Sequence, residues 1–378
     1  MVQLLTCIFL FFCCLIPNKG VSAIPADISF VIIDLKYNEK DGVKICEVQE
    51  AIGSRFFGVE FLSQKKGEVA ERLTDILARY THRLWYYTPG ISQEFLPLFR
   101  NSFNCKGIFS INGLLKDKSF TKYNKKRVKS PFSLSDYHGI IVSHYEHLSP
   151  AFVSKMKGVL ILNKAFLPHF GSSCCTDKLP MSLLFDHDKE LKALKPKWKL
   201  YEKQYSKEFV DEILNDFSTD YLVIKPRIAS RGRGVLIIRR NQLDETLQYI
   251  FGDCPKLTSD PDNSYHYWDY DQRPDFLVEE FYQSTPVTVS HLGNKPYDGT
   301  VRIPTVFTYN QGKVDVDFLY IFWKFPRKSL DDDGTLTETH KSFSGSQDHF
   351  ELVDPKTKAN IEIQIKEPLL KLYQRLVQ

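Results

Sequence analysis

The segment YLVIKPRIASRGRGVLIIRR, Tyr221 to Arg240, constrains the fold of this chain more than any other stretch. Two apolar, β-branched runs stand on either side of a loop of small and cationic residues, which reads as a hairpin. Lys225 interrupts the first run one residue before Pro226. A lysine in an otherwise apolar strand is costly to bury unless something carries the opposite charge beside it, and a phosphate is such a partner. The loop supplies Ser230, Gly232 and Gly234 with Arg231 and Arg233 alongside. Glycines admit a close approach, so backbone amides of such a loop can converge on phosphate oxygens. A plain turn and a basic patch for polyanions are the competing readings. The loop lacks GxxxxGK followed by Ser or Thr, which excludes a P-loop, and a strand rather than a helix follows it, which disfavours a Rossmann site.

The bulk numbers decide between some of these. At 378 residues and 43% apolar content the chain suits two packed domains. A formal charge of +4, from 50 basic and 46 acidic side chains, gives no global field for a polyanion, so no nucleic acid is expected as a partner. KYNKKRVK, Lys122 to Lys129, reads as a solvated loop. The N-terminus carries an apolar run from Leu4 to Ile16, too short for an ordinary membrane span, followed by small residues ending at Ala23. Residues 1–23 therefore read as a signal-peptide-like leader, although Lys and Arg are missing ahead of the apolar run. Export, or anchoring with transient membrane contact through the leader, is the expectation, and a cytoplasmic protein is the alternative. Outside the leader, Cys46, Cys105, Cys174, Cys175 and Cys254 are odd in number and show no CxxC spacing, so neither a disulfide framework nor a zinc ribbon is expected.

Along the chain, ISFVIID and VKICEVQ read as an early hairpin, and GEVAERLTDILARYTHRL carries apolar residues at helical spacing. GIIVSHY and GVLILN have the texture of short buried strands. Strands and helices alternate, so residues 24–162 are expected to form an α/β domain and residues 163–378 a second, α+β domain. In the second, a Lys-rich helical stretch from Asp186 to Phe217 leads into the glycine hairpin; a helix and the strand FLVEEFY follow. YDGTVRIPTVFTY and VDVDFLYIFWKF then read as a long hairpin, and PLLKLYQRLVQ as a terminal helix.

VIKP, the glycine loop, GVLII, the helix and FLVEEFY, with TDK (Thr176 to Lys178) upstream, together resemble the nucleotide-binding core of the ATP-grasp superfamily over about residues 160–330. The resemblance implies an α/β, pre-ATP-grasp-like domain followed by a two-lobed ATP-grasp domain, with ATP between the lobes and the glycine loop as a lid. It implies that Lys178 and Lys225 contact the phosphates, that Glu279, Glu280, Phe281 and Tyr282 form the adenine and ribose hinge, and that Arg302 stands near the γ-phosphate and a carboxylate substrate. Magnesium would be held by an acid on one late strand, Asp317 or alternatively Asp315, and by a Glu-x-Asn pair on the next. That pair is not legible: DDDGTLTETHKSFS offers Asp331, Asp332, Asp333, Glu338 and His340 but no Glu-x-Asn. The implied activity is an ATP-dependent ligase that activates a carboxylate for capture by an amine or thiol. A non-catalytic nucleotide-binding or interaction protein with a degenerate site is the alternative.

Overall fold

Strand β1, Asp27–Asn38, is buried along its whole length except Asn38. Its β-branched and aromatic residues suit a pleated strand that has both faces covered. A tight turn returns the chain into β2, Gly42–Glu50, antiparallel to β1. The computed structural model describes residues 25–87, 91–108, 110–144, 148–170, 177–230, 232–252, 260, 264–342 and 348–378. The leader, Thr176, Arg231 and six of the eight cysteines (Cys7, Cys13, Cys14, Cys174, Cys175 and Cys254) lie outside these residues.

The chain is a mixed α/β protein, with four sheets among the described residues. After β2, the helix Glu68–Ala78 matches the helical spacing, but the reading carried that helix too far. Residues 79–82 turn, and Arg83–Tyr87 is strand β3, because Leu-Trp-Tyr-Tyr favours a strand over another helical turn. β3 pairs in parallel with β4 (Asn104–Ile108) and β5 (Ile140–Val142), and β5 with β6 (Leu160–Ile161). The second lobe holds β7 (Trp198–Glu202), β8 (Tyr221–Pro226), β9 (Leu236–Arg239) and β10 (Asp275–Glu280), ordered β7-β10-β8-β9. β7 corrects the expected long helix over Asp186 to Phe217. Pro196 interrupts it, and WKLYE becomes an edge strand antiparallel to β10.

A small pair, β11 (Val287–Val289) and β12 (Lys295–Tyr297), precedes β13 (Thr300–Asn310). β14 (Lys313–Phe318) and β15 (Phe322–Lys324) both pair with β13, at different points along it, and β16 (Phe350–Leu352) pairs with β15. The second arm of the expected hairpin is therefore two short strands. β13 also pairs with β1, so the central sheet runs β16-β15-β13-β1-β2. This sheet crosses the division drawn at residue 162, because β1 and β2 come from before it and β13 from beyond it.

Alternation along β1 sorts side chains to two faces. Val31, Ile33, Leu35 and Tyr37 enter a core with Ile361, Ile365, Leu369 and Tyr373 of the helix Pro355–Val377. On the other face Ile28, Phe30 and Ile32 join the core of the first lobe with Leu73, Leu77, Leu84 and Ile140. Continuing along that second face come Asp34 and Lys36, both buried. One face of the central sheet is thus apolar at one end and charged at the other.

At the apolar end, buried Asp27 accepts hydrogen bonds from the hydroxyls of Tyr373 and Ser29. Burial pushes its pKa up to about 6, against the pull of those two hydroxyls. A raised pKa means that the folded state holds the proton more tightly than the unfolded chain. Its contribution is complete below about pH 4 and is lost as the pH rises through about 6. Asp27→Asn should remove a component of up to about 3 kcal/mol from the pH dependence of stability over this window. The check is the difference between wild-type and variant urea unfolding profiles from pH 4 to pH 7.

Candidate functional site

The charged end of the sheet face begins with a register pair, Asp34 on β1 opposite Arg302 on β13. Arg302 donates from Nε to Asp34 Oδ1 at 2.8 Å and from Nη2 to Oδ2 at 2.6 Å, a bidentate pair. Burial works to raise the Asp34 pKa, but Arg302, and then Lys324, more than offset it and hold the carboxyl below its ordinary value. Two residues along β1, Lys36 lies 2.9 Å from Asp298 Oδ1 and donates to the His340 carbonyl at 3.3 Å. His340 Nδ1 is 2.7 Å from the other Asp298 oxygen. Lys324 on β15 faces the same way, opposite Thr300 and two positions from Phe322, which pairs with Arg302. It is 5% exposed, and its side chain has no hydrogen bond or ion pair among the described residues. Burial, and then repulsion from Arg302, push its pKa down to about 7.

Facing this end is the β10–β8 layer. Lys225, 9% exposed, donates to Glu279 Oε2 at 2.5 Å, and Lys195 donates to Glu279 Oε1 at 2.9 Å and to the Cys46 carbonyl at 3.3 Å. Glu279 is 2% exposed. Its desolvation is outweighed by the two lysines, which bring its pKa down to about 2. The counter-charge that buried Lys225 needs is supplied here by Glu279, whose two carboxylate oxygens are each held by an ammonium group. Lys195 carries no local signal of this role, because it precedes Pro196 in a Lys-rich stretch whose pattern is that of a solvated helix.

The other expected hinge residues lie at the end of β10. The Glu280 amide donates to the Lys197 carbonyl at 2.9 Å, and the Phe281 amide donates to the Tyr221 carbonyl at 3.3 Å. The Phe281 ring meets His340 at 4.9 Å and Tyr221 at 5.7 Å between centroids. The Tyr282 hydroxyl donates to the Gly42 carbonyl at 3.1 Å, and burial, then Asp41, push its pKa up to about 12. Glu280, Phe281 and Tyr282 are half-buried, so they remain reachable where Glu279 does not.

The glycine loop between β8 and β9 is held from several sides. Lys178 Nζ donates to the Ala229 carbonyl at 2.9 Å, and its neighbour Asp177 grips Arg227 through contacts of 2.8 to 3.1 Å. Arg233 donates to the Ser230 hydroxyl at 3.0 Å and to its carbonyl at 3.3 Å. Gly232 and Gly234 have φ of +70° and +72°, the left-handed region that glycine enters without strain. The short helix Tyr267–Tyr270, from the aromatic run YHYWDY, lies against the loop. Tyr267 donates to the Ile228 carbonyl at 2.7 Å and the Trp268 indole to the Gly234 carbonyl at 3.0 Å. Lys341 Nζ, bonded to Ser264 Oγ at 2.6 Å, is 3.4 Å from the Gly232 carbonyl and so ties the loop to the segment that carries His340.

The metal ligands expected from the sequence are not brought together. Asp317 lies on β14 opposite Val306, farther along β13 than Arg302, and Asp315 is exposed opposite Thr308. Asp332 accepts from the Ser329 amide and from Lys295, and Glu338 caps its own helix through Thr335 while pairing with Lys328. Both are structural roles that Asp and Glu fill at turns and helix starts. Among the described residues no group of three His, Cys, Asp or Glu side chains could hold a metal ion. On the charged face, Asp34, Glu279 and Asp298 are already engaged by cations. Glu47 on β2 is a further carboxylate there among the described residues, in electrostatic reach of Lys225, Arg302 and Lys324. A divalent cation needs oxygen ligands that are free to coordinate it. These residues do not fit magnesium.

No family model matches the chain, and no curated protein does. Among solved structures it is similar to a protein described as a gamma-glutamylcysteine synthetase from Methylobacillus flagellatus, with a TM-score of 0.44 and 8% identity over 94% of this chain and 89% of that one. It is similar to D-alanyl-alanine synthetase A from Vibrio cholerae, with a TM-score of 0.39 and 12% identity over 77% and 80% of the two chains. A RimK domain ATP-grasp protein from Sphaerobacter thermophilus gives 0.30 and 10% over 78% and 99%. At these scores and identities the likenesses decide neither substrate nor mechanism. Among the described residues no helix is long and apolar enough to cross a membrane.

Two experiments address this geometry. Glu279→Gln leaves Lys195 and Lys225 buried against an uncharged partner and should cost about 3–5 kcal/mol in chemical denaturation, whereas Glu280→Gln should be close to neutral. In the loop, a Cβ on Gly234 would stand 2.3 Å from Pro226 Cγ and 2.7 Å from Tyr267 Cδ1, while one on Gly232 meets only the Lys341 side chain at 3.4 Å. Gly234→Ala should therefore cost about 2–3 kcal/mol and Gly232→Ala about 1 kcal/mol, measured by the same unfolding titration.

Proposed function

We propose that the cleft between the charged end of the central sheet and the β8–β10 layer binds ATP, and that the protein is an ATP-dependent ligase. The observation that carries this reading is the placement of a left-handed glycine loop, tied through Lys341, beside a sheet face that holds the buried cations Arg302 and Lys324. Backbone amides of the loop and these cations would receive the phosphates. The half-buried edge from Glu280 to Tyr282 would receive the base, and Lys178, at the foot of the loop, would set the loop's position over the phosphates. Lys225 contributes a fixed positive charge whose field is tempered by Glu279.

In the reaction, a substrate carboxylate oxygen attacks the γ-phosphorus, the bond to the ADP oxygen breaks, and an acylphosphate forms. An amine or thiol then attacks the acyl carbon, loses its proton, and inorganic phosphate leaves. Arg302, held in place by Asp34, and Lys324 would stabilise the negative charge that builds on the transferring group, since preorganised cations in a dry site act without reorganising. Holding the acid in line with the γ-phosphorus supplies the rest. No step is routed through magnesium, because the residues do not fit it.

The second reading is a nucleotide-binding or interaction protein without catalysis. It is favoured by one observation, the engagement of Asp34, Glu279 and Asp298 in ion pairs that leave no metal set among the described residues. ATP should raise the Tm of the wild type by several degrees, and an unchanged Tm would sink the nucleotide reading. Release of ADP that depends on an added amino acid or peptide would establish the ligase, while a Tm shift with no release across such a screen would establish the binder.

A further inference from the structure

We propose that Lys324 occupies the role that a metal ion has in such clefts, so that the nucleotide's phosphates bind here as a free polyanion without a divalent cation. The inference rests on the nucleotide reading above and concerns how that site handles charge.

β15 is the late strand that pairs with β13 beside Arg302. Its two positions on the sheet face of Arg302 are Phe322 and Lys324, one residue apart, which is the spacing of the Glu-x-Asn pair that the resemblance leads one to expect. Where two oxygen ligands are expected there stand a phenyl ring and an ammonium group. Phe322 joins the apolar core of the first lobe, so only Lys324 acts on the cleft.

The groups around Lys324 show what it can take. Arg302 reaches it from β13, Asp34 from β1, Glu47 from β2, and Lys341 from the segment after the helix Leu336–His340, while β16 presents Phe350 opposite it. Asp34 is already bidentate with Arg302, and neither it nor Glu47 contacts the Lys324 ammonium. A lysine buried this far without a counter-ion is costly, and phosphate oxygens are a partner of the right charge. The same cluster of Arg302, Lys324 and Lys341 repels a second cation, which sets magnesium and these side chains in competition for the phosphates. Because burial and then Arg302 bring the pKa of the amine down to about 7, it is only partly protonated near that pH, and phosphate binding would draw a proton onto the remainder.

The test is calorimetric titration of the full chain with ATP in EDTA and in excess magnesium chloride, for the wild type, Lys324→Met and Lys324→Arg. The expected result is a wild-type affinity in EDTA equal to or tighter than that with magnesium. Lys324→Met should weaken binding in EDTA at least tenfold and Lys324→Arg should restore most of it. Wild-type affinity in EDTA should also fall several-fold from pH 6 to pH 9. If Lys324→Met does not fold, as judged by circular dichroism, the wild-type comparison and Lys324→Arg decide. Binding by the wild type only with magnesium, or unchanged binding in EDTA by a folded Lys324→Met, overturns the proposal and leaves the nucleotide reading standing. No binding in either condition overturns the nucleotide reading and this proposal with it.

Discussion

The pairing of β1 with β13 is the constraint on which the rest depends. It joins the first and last parts of the described chain in one sheet, and its register puts Asp34 directly against Arg302. Had the register slipped by one residue, every side chain of β1 would change face, sending Asp34 and Lys36 into the core with Leu369 and Tyr373. The apolar residues of both faces forbid that slip. The site is therefore positioned by hydrophobic burial: Val31, Ile33 and Leu35 on one side and Phe30 and Ile32 on the other fix where the two charges stand.

Charge in the cleft is arranged in closed sets. Glu279 is shared by Lys195 and Lys225, Asp298 by Lys36 and His340, and Asp34 takes both arms of Arg302. Each set survives burial because removing a charge from water is offset by a partner at hydrogen-bond distance. A low Glu279 pKa and a low Asp34 pKa are the same fact seen from the carboxylate side. Lys324 stands outside these sets, and that isolates it as the group whose state depends most on what enters the cleft.

Much of this architecture was legible in the sequence because it is local. The runs around VIKP, GVLII and FLVEE are strands by composition, and the left-handed glycines do sit in the loop that joins β8 to β9. What could not be read is what depends on partners far away in the chain. Lys225 announced that it needed a counter-charge, but nothing local distinguished Glu279, 54 residues on, from a phosphate. Lys195 and Lys324 gave no signal of their own, since a lysine's burial is decided by the strands that fold over it. The sheet that spans residue 162 was not legible for the same reason, because strand pairing between β1 and β13 leaves no local mark. Trp268 did leave one: an indole in a core-like aromatic run must place its N–H somewhere, and that somewhere is the Gly234 carbonyl.

That indole gives the glycine loop a mechanical character. Trp268 is 5% exposed and packs edge-on against Phe251 and Phe276, deep in the second lobe. Its N–H holds one end of the loop while Tyr267 holds the other, so the loop is riveted to the lobe's interior at two carbonyls. Lifting the loop would strand both donors, so the same two bonds that finish the aromatic core of the lobe also set where the backbone amides of the loop stand.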